Sequence, residues 1–110
     1  VIVFSKGAHY ALKELAGIGA DVVGLDWTVD IHDVRELIGE QVALQGNFDP
    51  SFLYASPDCI RREVASILRK FGRGSGHVFN LGHGILPDVP VENARALVRA
   101  VKEESAVYHV

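Results

Sequence analysis

A histidine held between two glycines is the residue of this sequence that is best placed to do chemistry. Gly82, His83 and Gly84 follow an apolar run, Val78 to Leu81, that is typical of a β-strand. An imidazole can donate or accept hydrogen bonds and can take up a proton near neutral pH. Glycine has no Cβ atom, so the backbone can adopt unusual φ and ψ angles and a ligand can approach closely. We therefore expect His83 to lie at the carboxyl end of a strand, where α/β folds bind their ligands.

Two aspartates follow other predicted strands and are candidates for an acid–base pair at the same edge. Asp26 precedes Trp27, and Asp49 precedes Pro50. Both arrangements are also typical of hydrogen bonding within loops and turns, and we favour this structural role. Trp27 is a candidate for the pocket wall, although packing beneath a loop is the commoner fate of such a residue.

Three further polar residues near strand ends are weaker candidates. Lys6 can steer carboxylates toward the site, with an ion pair inside the fold as the alternative. Gln45 and Asn47 are predicted to line the interior with polar groups.

Other catalytic and metal-binding patterns are not supported by spacing. Ser5, Asp26 and His83 supply the residue types of a hydrolytic triad, but Ser5 lacks the Gly-x-Ser-x-Gly elbow. The five histidines do not have the spacing of metal ligands, so no metal is predicted. Cys59, the single cysteine, excludes an internal disulfide and fits a reducing, cytoplasmic setting. Its helical context favours packing over reactivity.

Composition indicates an ordered globular chain. Of its 110 residues, 48% are hydrophobic and 23% are charged. No apolar run approaches the roughly 18 residues of a membrane span, and no secretory signal pattern is present. The formal net charge of −3 argues against nucleic acid as a partner. An anionic small ligand remains compatible, because local donors can outweigh the average charge.

The chain reads as four consecutive strand–loop–helix units. Strands are predicted at residues 1–4, 21–25, 41–45 and 77–81, and their continuous apolar character is typical of a parallel sheet. Ser56 and Pro57 begin the third helix as N-cap and first residue. The predicted inward helical positions are Ala8, Ala11, Leu12 and Leu15; Ile31, Val34, Leu37 and Ile38; Ile60, Val64, Ile67, Leu68 and Phe71; and Ala94, Leu97, Val98 and Val101.

Two α/β architectures fit this pattern: a small open, doubly wound sheet, or half of a (β/α)8 barrel, whose full length is about 250 residues. Periodicity alone does not choose between them. The sequence begins inside a strand-like run and contains no methionine, so we interpret it as part of a longer chain.

Four segments, in order and spacing, resemble the uroporphyrinogen decarboxylase family. They are Ile2-Val3-Phe4-Ser5-Lys6-Gly7, Val23-Gly24-Leu25-Asp26-Trp27-Thr28, Leu44-Gln45-Gly46-Asn47-Phe48-Asp49-Pro50 and Asn80-Leu81-Gly82-His83-Gly84-Ile85. Phe48 stands where the family usually has leucine. The resemblance implies that residues 1–110 are a single partial domain, the last four βα units in the C-terminal half of a (β/α)8 TIM barrel.

The resemblance also implies a function. The family removes the four acetate carboxyls of uroporphyrinogen III, giving coproporphyrinogen III in haem biosynthesis, as a cofactor-free carboxy-lyase. The resemblance further implies a tetrapyrrole substrate, a cytoplasmic location and a homodimer of the full-length protein. The aspartate and arginines that handle protons belong to the family's N-terminal half, so this chain has no catalytic residue and should be inactive alone. Only the histidine carries over, onto His83, as a substrate-binding residue.

Two alternatives remain. One is a zinc-dependent cobalamin or coenzyme M methyltransferase of the same barrel. Ser5-Lys6-Gly7 occupies the place where its metal-binding His-x-Cys would be expected, which argues against it. The other is an α/β binding module that is complete by itself.

Overall fold

The computed structural model describes residues 2–4, 14, 17–38, 41–82 and 84–108. Strands and helices alternate within them in the predicted order. The strands are β1 (Ile2–Phe4), β2 (Val22–Gly24), β3 (Ala43–Gln45) and β4 (His77–Val78), and the helices are α1 (Ile31–Ile38), α2 (Pro57–Phe71) and α3 (Val91–Glu104). The first predicted helix, between β1 and β2, lies largely outside the described residues. The helices named α1, α2 and α3 are therefore the second, third and fourth helices of the prediction. None of the described helices has the length and apolar character needed to cross a membrane.

The strand order separates the two predicted architectures. All neighbouring strands are parallel, and their order in space, β1-β2-β3-β4, is their order in the chain. A doubly wound sheet reverses its strand order once and therefore carries helices on both faces. Because parallel crossovers are almost always right-handed, an unreversed order places successive helices on one face, as in a (β/α)8 barrel. The order therefore favours part of a barrel.

The hydrophobic core lies between this one face of the sheet and the helices. Val23 and Leu44 extend from the two central strands and are both 0% exposed. The helices contribute most of the other large side chains of the core: Ile31, Val34, Ile38, Ile60, Val64, Ile67, Leu68 and Phe71. The segments around the strands add Leu25, Val42, Phe48 and Leu53. The complete predicted stripe of α2 is buried, which confirms the sequence interpretation of this helix.

Polar contacts fix both the start of α2 and its packing on α3. The hydroxyl of Ser56 accepts a hydrogen bond from the backbone N–H of Cys59 at 3.3 Å, which confirms the predicted N-cap. Arg61 reaches across to α3 and donates to Glu103 and Glu104, each at 2.5 Å. These ion pairs are partly exposed, so they orient the two helices more than they stabilise them.

Several local predictions were wrong, among them the end of strand β4, which lies at Val78 instead of Leu81. Leu37 is 44% exposed and Val98 is 52% exposed, although both were predicted to face inward. The three buried residues of α1 already cover its contact with the sheet, and Val98 borders an apolar groove of about 360 Å³ that no described element covers. Strand β3 begins at Ala43 instead of Gln41, because the N–H of Gln41 donates to the carbonyl of Ile38 at the end of α1.

Candidate functional site

The face of the sheet opposite the helices is open and carries one row of residues from all four strands. Strand pairing aligns Phe4 with Gly24, Gly24 with Gln45, and Gln45 with Val78. Phe4 and Val78 are 47% and 45% exposed, in contrast to the fully buried residues on the helix side. In a closed barrel this row would point into the interior.

A cavity of about 440 Å³ lies on this open face at the carboxyl ends of the strands. Its lining comes from three of the strands and from the segment after β4: Phe4, Gly24, Leu25, Gln45, Asn80, Leu81, Gly84 and Ile85. The ring of Phe4 lies over Gly24, where a Cβ atom would be 3.0 Å from the ring. The cavity therefore occupies the edge of the sheet at which α/β barrels bind ligands.

The segment that carries the candidate histidine is fixed at Gly82, the residue that precedes it. The N–H of Gly82 donates to the carbonyl of Phe48 at 2.7 Å. A Cβ atom at Gly82 would lie only 2.9 Å from the Cα of Trp27, so this position requires glycine for close backbone packing. His83 itself lies outside the described residues. Gly84, the next residue, lines the cavity.

A side-chain contact anchors the continuation of this segment toward α3. The hydroxyl of Tyr54 donates to the carboxylate of Asp88 at 2.5 Å, and this hydrogen bond raises the pKa of Tyr54. The side-chain amide of Asn93, in the first turn of α3, donates to the carbonyl of Leu53 at 2.7 Å. The turn after β3 and the loop after β4 are thus joined.

Asp26 has structural contacts, as the sequence analysis favoured. It is 3% exposed, and its carboxylate accepts hydrogen bonds from both the backbone N–H and the hydroxyl of Thr28. Asn47 was predicted to line the interior, and this was wrong. Its amide instead clips two loops together by donating to the carbonyls of Asp26 at 2.8 Å and Val29 at 2.6 Å.

Asp49 also makes a local contact, and it borders the loop cavity described below instead of the cavity on the open face. Its carboxylate accepts a hydrogen bond from the N–H of Ser51 at 2.9 Å and caps the 3-10 turn Pro50–Tyr54. The carboxylates of Asp26 and Asp49 therefore both accept hydrogen bonds within their own loops. This agrees with the predicted structural role and not with an acid–base pair.

A second cavity, of about 290 Å³, lies on the helix side of the same loops and is bordered by Trp27. Lys70 pairs there with Asp30 at 3.3 Å. Partial burial opposes ionisation of Asp30, but the N–H of His32 and the Lys70 ammonium outweigh it and lower its pKa. Burial raises the pKa of Glu63 on the same wall. Trp27 is 44% exposed, so it borders a pocket and is not packed beneath a loop.

The other candidate residues that the structure describes do not come together in a second site. His32 pairs with Glu36 at 3.2 Å, and the ring of His77 stacks on Phe71 with 4.3 Å between centroids. Hydrogen bonds, first to Ser56 and then to Arg62, lower the pKa of the half-buried Cys59. No group of three or more metal-ligating side chains occurs among the described residues. The candidates outside the described residues are Ser5, Lys6, His9 and His109.

The sequence analysis missed Asn80, one of the two residues with a polar side chain among the described residues that line the cavity. Asn80 lies in the apolar run before the glycine-flanked histidine, and the run as a whole was interpreted as a buried strand. The alternation of side chains along a strand could have predicted its position, because Val78 and Asn80 share the face that opens onto the cavity. This signal becomes visible only when the register of β4 against β3 is known.

Comparison with known proteins places this fold in a family. The architecture is that of part of a (β/α)8 barrel. A solved methyltransferase structure from Methanosarcina mazei superposes with a TM-score of 0.81 at 28% identity, over 96% of this chain and 31% of that one. The family model for uroporphyrinogen decarboxylase (URO-D) matches residues 1–104. The chain belongs to the uroporphyrinogen decarboxylase family.

Curated relatives with the same family name are similar in sequence to almost the whole chain. Uroporphyrinogen decarboxylases from Hydrogenovibrio crunogenus and Saccharophagus degradans are 59% and 61% identical over 109 residues, and the one from Pseudomonas syringae pv. syringae is 58% identical over 110 residues. The chain spans 31% of the length of each of these relatives. The predicted family and barrel fold are thus confirmed.

Proposed function

We propose that this chain contributes to the decarboxylation of uroporphyrinogen III to coproporphyrinogen III, as the last four βα units of a decarboxylase barrel. The observation that carries the proposal is 59% identity, over 99% of the chain, to a relative named uroporphyrinogen decarboxylase. The open cavity at the strand ends supports it, because a large substrate requires a wide mouth at that edge. The full-length protein is proposed to be a cytoplasmic homodimer that uses no cofactor.

Within this function, His83 is proposed to bind and orient the substrate. Its neighbours support the role, since Gly82 packs on the loop after β2 and Gly84 borders the cavity. Uroporphyrinogen carries eight carboxylates, and an imidazole can donate a charge-assisted hydrogen bond to one of them. The groups that handle protons are proposed to come from the remainder of the barrel.

The two alternatives receive less support. Methyl transfer rests on the likeness to a methyltransferase structure at 28% identity, about half the identity to the decarboxylases. A self-contained binding module is difficult to reconcile with the open face, because Ile2, Phe4 and Val78 expose apolar area that a complete soluble domain would cover.

The proposal is tested with a full-length chimera, in which these 110 residues replace the matching segment of the Hydrogenovibrio crunogenus relative. We expect the chimera to release CO₂ from uroporphyrinogen III and to yield coproporphyrinogen III. The isolated chain is expected to release none, because it lacks the proton-handling groups. A folded chimera without activity would overturn the proposal, and so would activity of the isolated chain.

In the chimera, His83→Ala is expected to lower kcat/KM by the equivalent of about 1.5–3 kcal/mol, the contribution of one hydrogen bond to a charged group. Steady-state decarboxylation measures this change. His32→Ala is the matched control, because His32 is exposed on α1 and pairs only locally with Glu36. Equal kinetics for the parent and the His83 variant would assign His83 a purely structural role.

A further inference from the structure

The cavity on the open face is lined mainly by apolar groups and backbone. Of the described residues that line it, Gln45 and Asn80 alone carry polar side chains, and none carries an ionisable group. A few polar groups in an otherwise apolar pocket usually fix the orientation of a ligand. These two amides are therefore the groups in this part of the site that can select a ligand.

Strand geometry brings the two amides together. Gln45 pairs with Val78, and Asn80 follows two residues later, on the same face by alternation. The N–H of Phe48 donates to the carbonyl of Asn80 at 3.1 Å, so the two segments stay paired beyond the regular strands. A rise of about 3.3 Å per residue and a strand spacing of about 4.8 Å separate the two Cα atoms by about 8 Å. Both amides can reach one small group between them.

Neither side-chain amide forms a hydrogen bond with another described residue, and this distinguishes them from Asn47. The amide of Asn47 is occupied by two loop carbonyls in a buried position. Gln45 is half-buried and Asn80 is exposed at the cavity, so their donors remain available to a ligand.

We infer that Gln45 and Asn80 form a two-amide subsite that binds one peripheral carboxylate of the substrate. This inference rests on the proposed function, which supplies a substrate with carboxylates around its rim. Each amide has two N–H donors, and a carboxylate accepts from several directions. Neutral donors hold the carboxylate in its charged form without adding a titrating group to the site. The subsite therefore contributes to binding and orientation, and it takes no part in proton transfer.

The test uses isosteric substitutions in the full-length chimera. Gln45→Glu and Asn80→Asp replace a donor by a carboxylate, so each is expected to raise the KM for uroporphyrinogen III about tenfold or more while kcat stays close to that of the parent. Gln41→Glu is the matched control, because Gln41 is exposed at the opposite end of the sheet. It introduces the same charge and should leave KM unchanged.

The possible results separate this inference from the proposed function. An active parent whose KM is unchanged by both substitutions would overturn the subsite, and so would a loss confined to kcat. Asn80 is exposed, so its variant should fold even if the Gln45 variant does not, and circular dichroism checks both. A parent chimera that releases no CO₂ would overturn the proposed function and the subsite together.

Discussion

Gly82→Ala is expected to lower kcat/KM of the chimera about a hundredfold and to destabilise it by about 1–3 kcal/mol. The added Cβ atom would stand 2.9 Å from the carbonyl carbon of Asp26 and 2.9 Å from the Cα of Trp27. Both are backbone atoms, which cannot rotate aside as a flexible side chain can. The N–H of Gly82 is also bound to the carbonyl of Phe48, so the strain must displace the segment that leads into His83.

A glycine two residues away provides the control. A Cβ atom at Gly84 would have no neighbour within 4 Å among the described residues, so Gly84→Ala should keep nearly the melting temperature of the parent. Steady-state CO₂ release and thermal unfolding of both variants give the comparison. Similar losses at the two positions would contradict the steric explanation, and would indicate that the whole segment needs the flexibility of glycine.

The local part of the fold was predictable from the sequence because local rules determine it. The apolar spacing of α2 and the Ser56 cap are set by residues within a few turns of one another, and both predictions were confirmed. The choice between an open sheet and part of a barrel was different. Both architectures share the same strand–helix pattern, and they differ in strand order and in the face that the helices cover. These features depend on contacts between distant segments.

The candidate site shows the same division. The glycines around His83 were recognised from their type, but the reason that position 82 must be glycine was not predicted. Its missing side chain admits the backbone of Asp26 and Trp27, a contact between loops more than fifty residues apart in sequence. Asn47 and Asn80 are both amides near strand ends, yet one clips loops and the other borders the cavity. Which amide joins loops and which one faces the cavity depends on strand register and on the path of the loops, and neither can be read from composition.

Phe48→Ala is expected to lower the free energy of unfolding of the chimera by about 3–5 kcal/mol. Phe48 is 0% exposed, and its ring lies 5.9 Å from that of Phe52 and 6.4 Å from that of Phe79, measured between centroids. Truncation would remove these contacts and leave a cavity where the turn after β3 meets the segment after β4. Because typical domains are stable by only about 5–15 kcal/mol, the loss is a large share of the total. Urea unfolding of the chimera measures it.

Two further substitutions test whether the lost volume or the burial of the ring explains the loss of stability in Phe48→Ala. Phe48→Leu restores the residue usual in the family and should cost less than about 1.5 kcal/mol, since it removes the aromatic contacts but fills most of the space. Phe52→Ala removes an equal volume from a ring that is 38% exposed, so its cost should be clearly smaller than that of Phe48→Ala. Comparable losses for the two alanine variants would contradict the burial argument.

Decarboxylation by the leucine variant should stay close to that of the parent, because the hydrogen bond that holds Gly82 uses the backbone carbonyl of residue 48 and does not depend on its side chain.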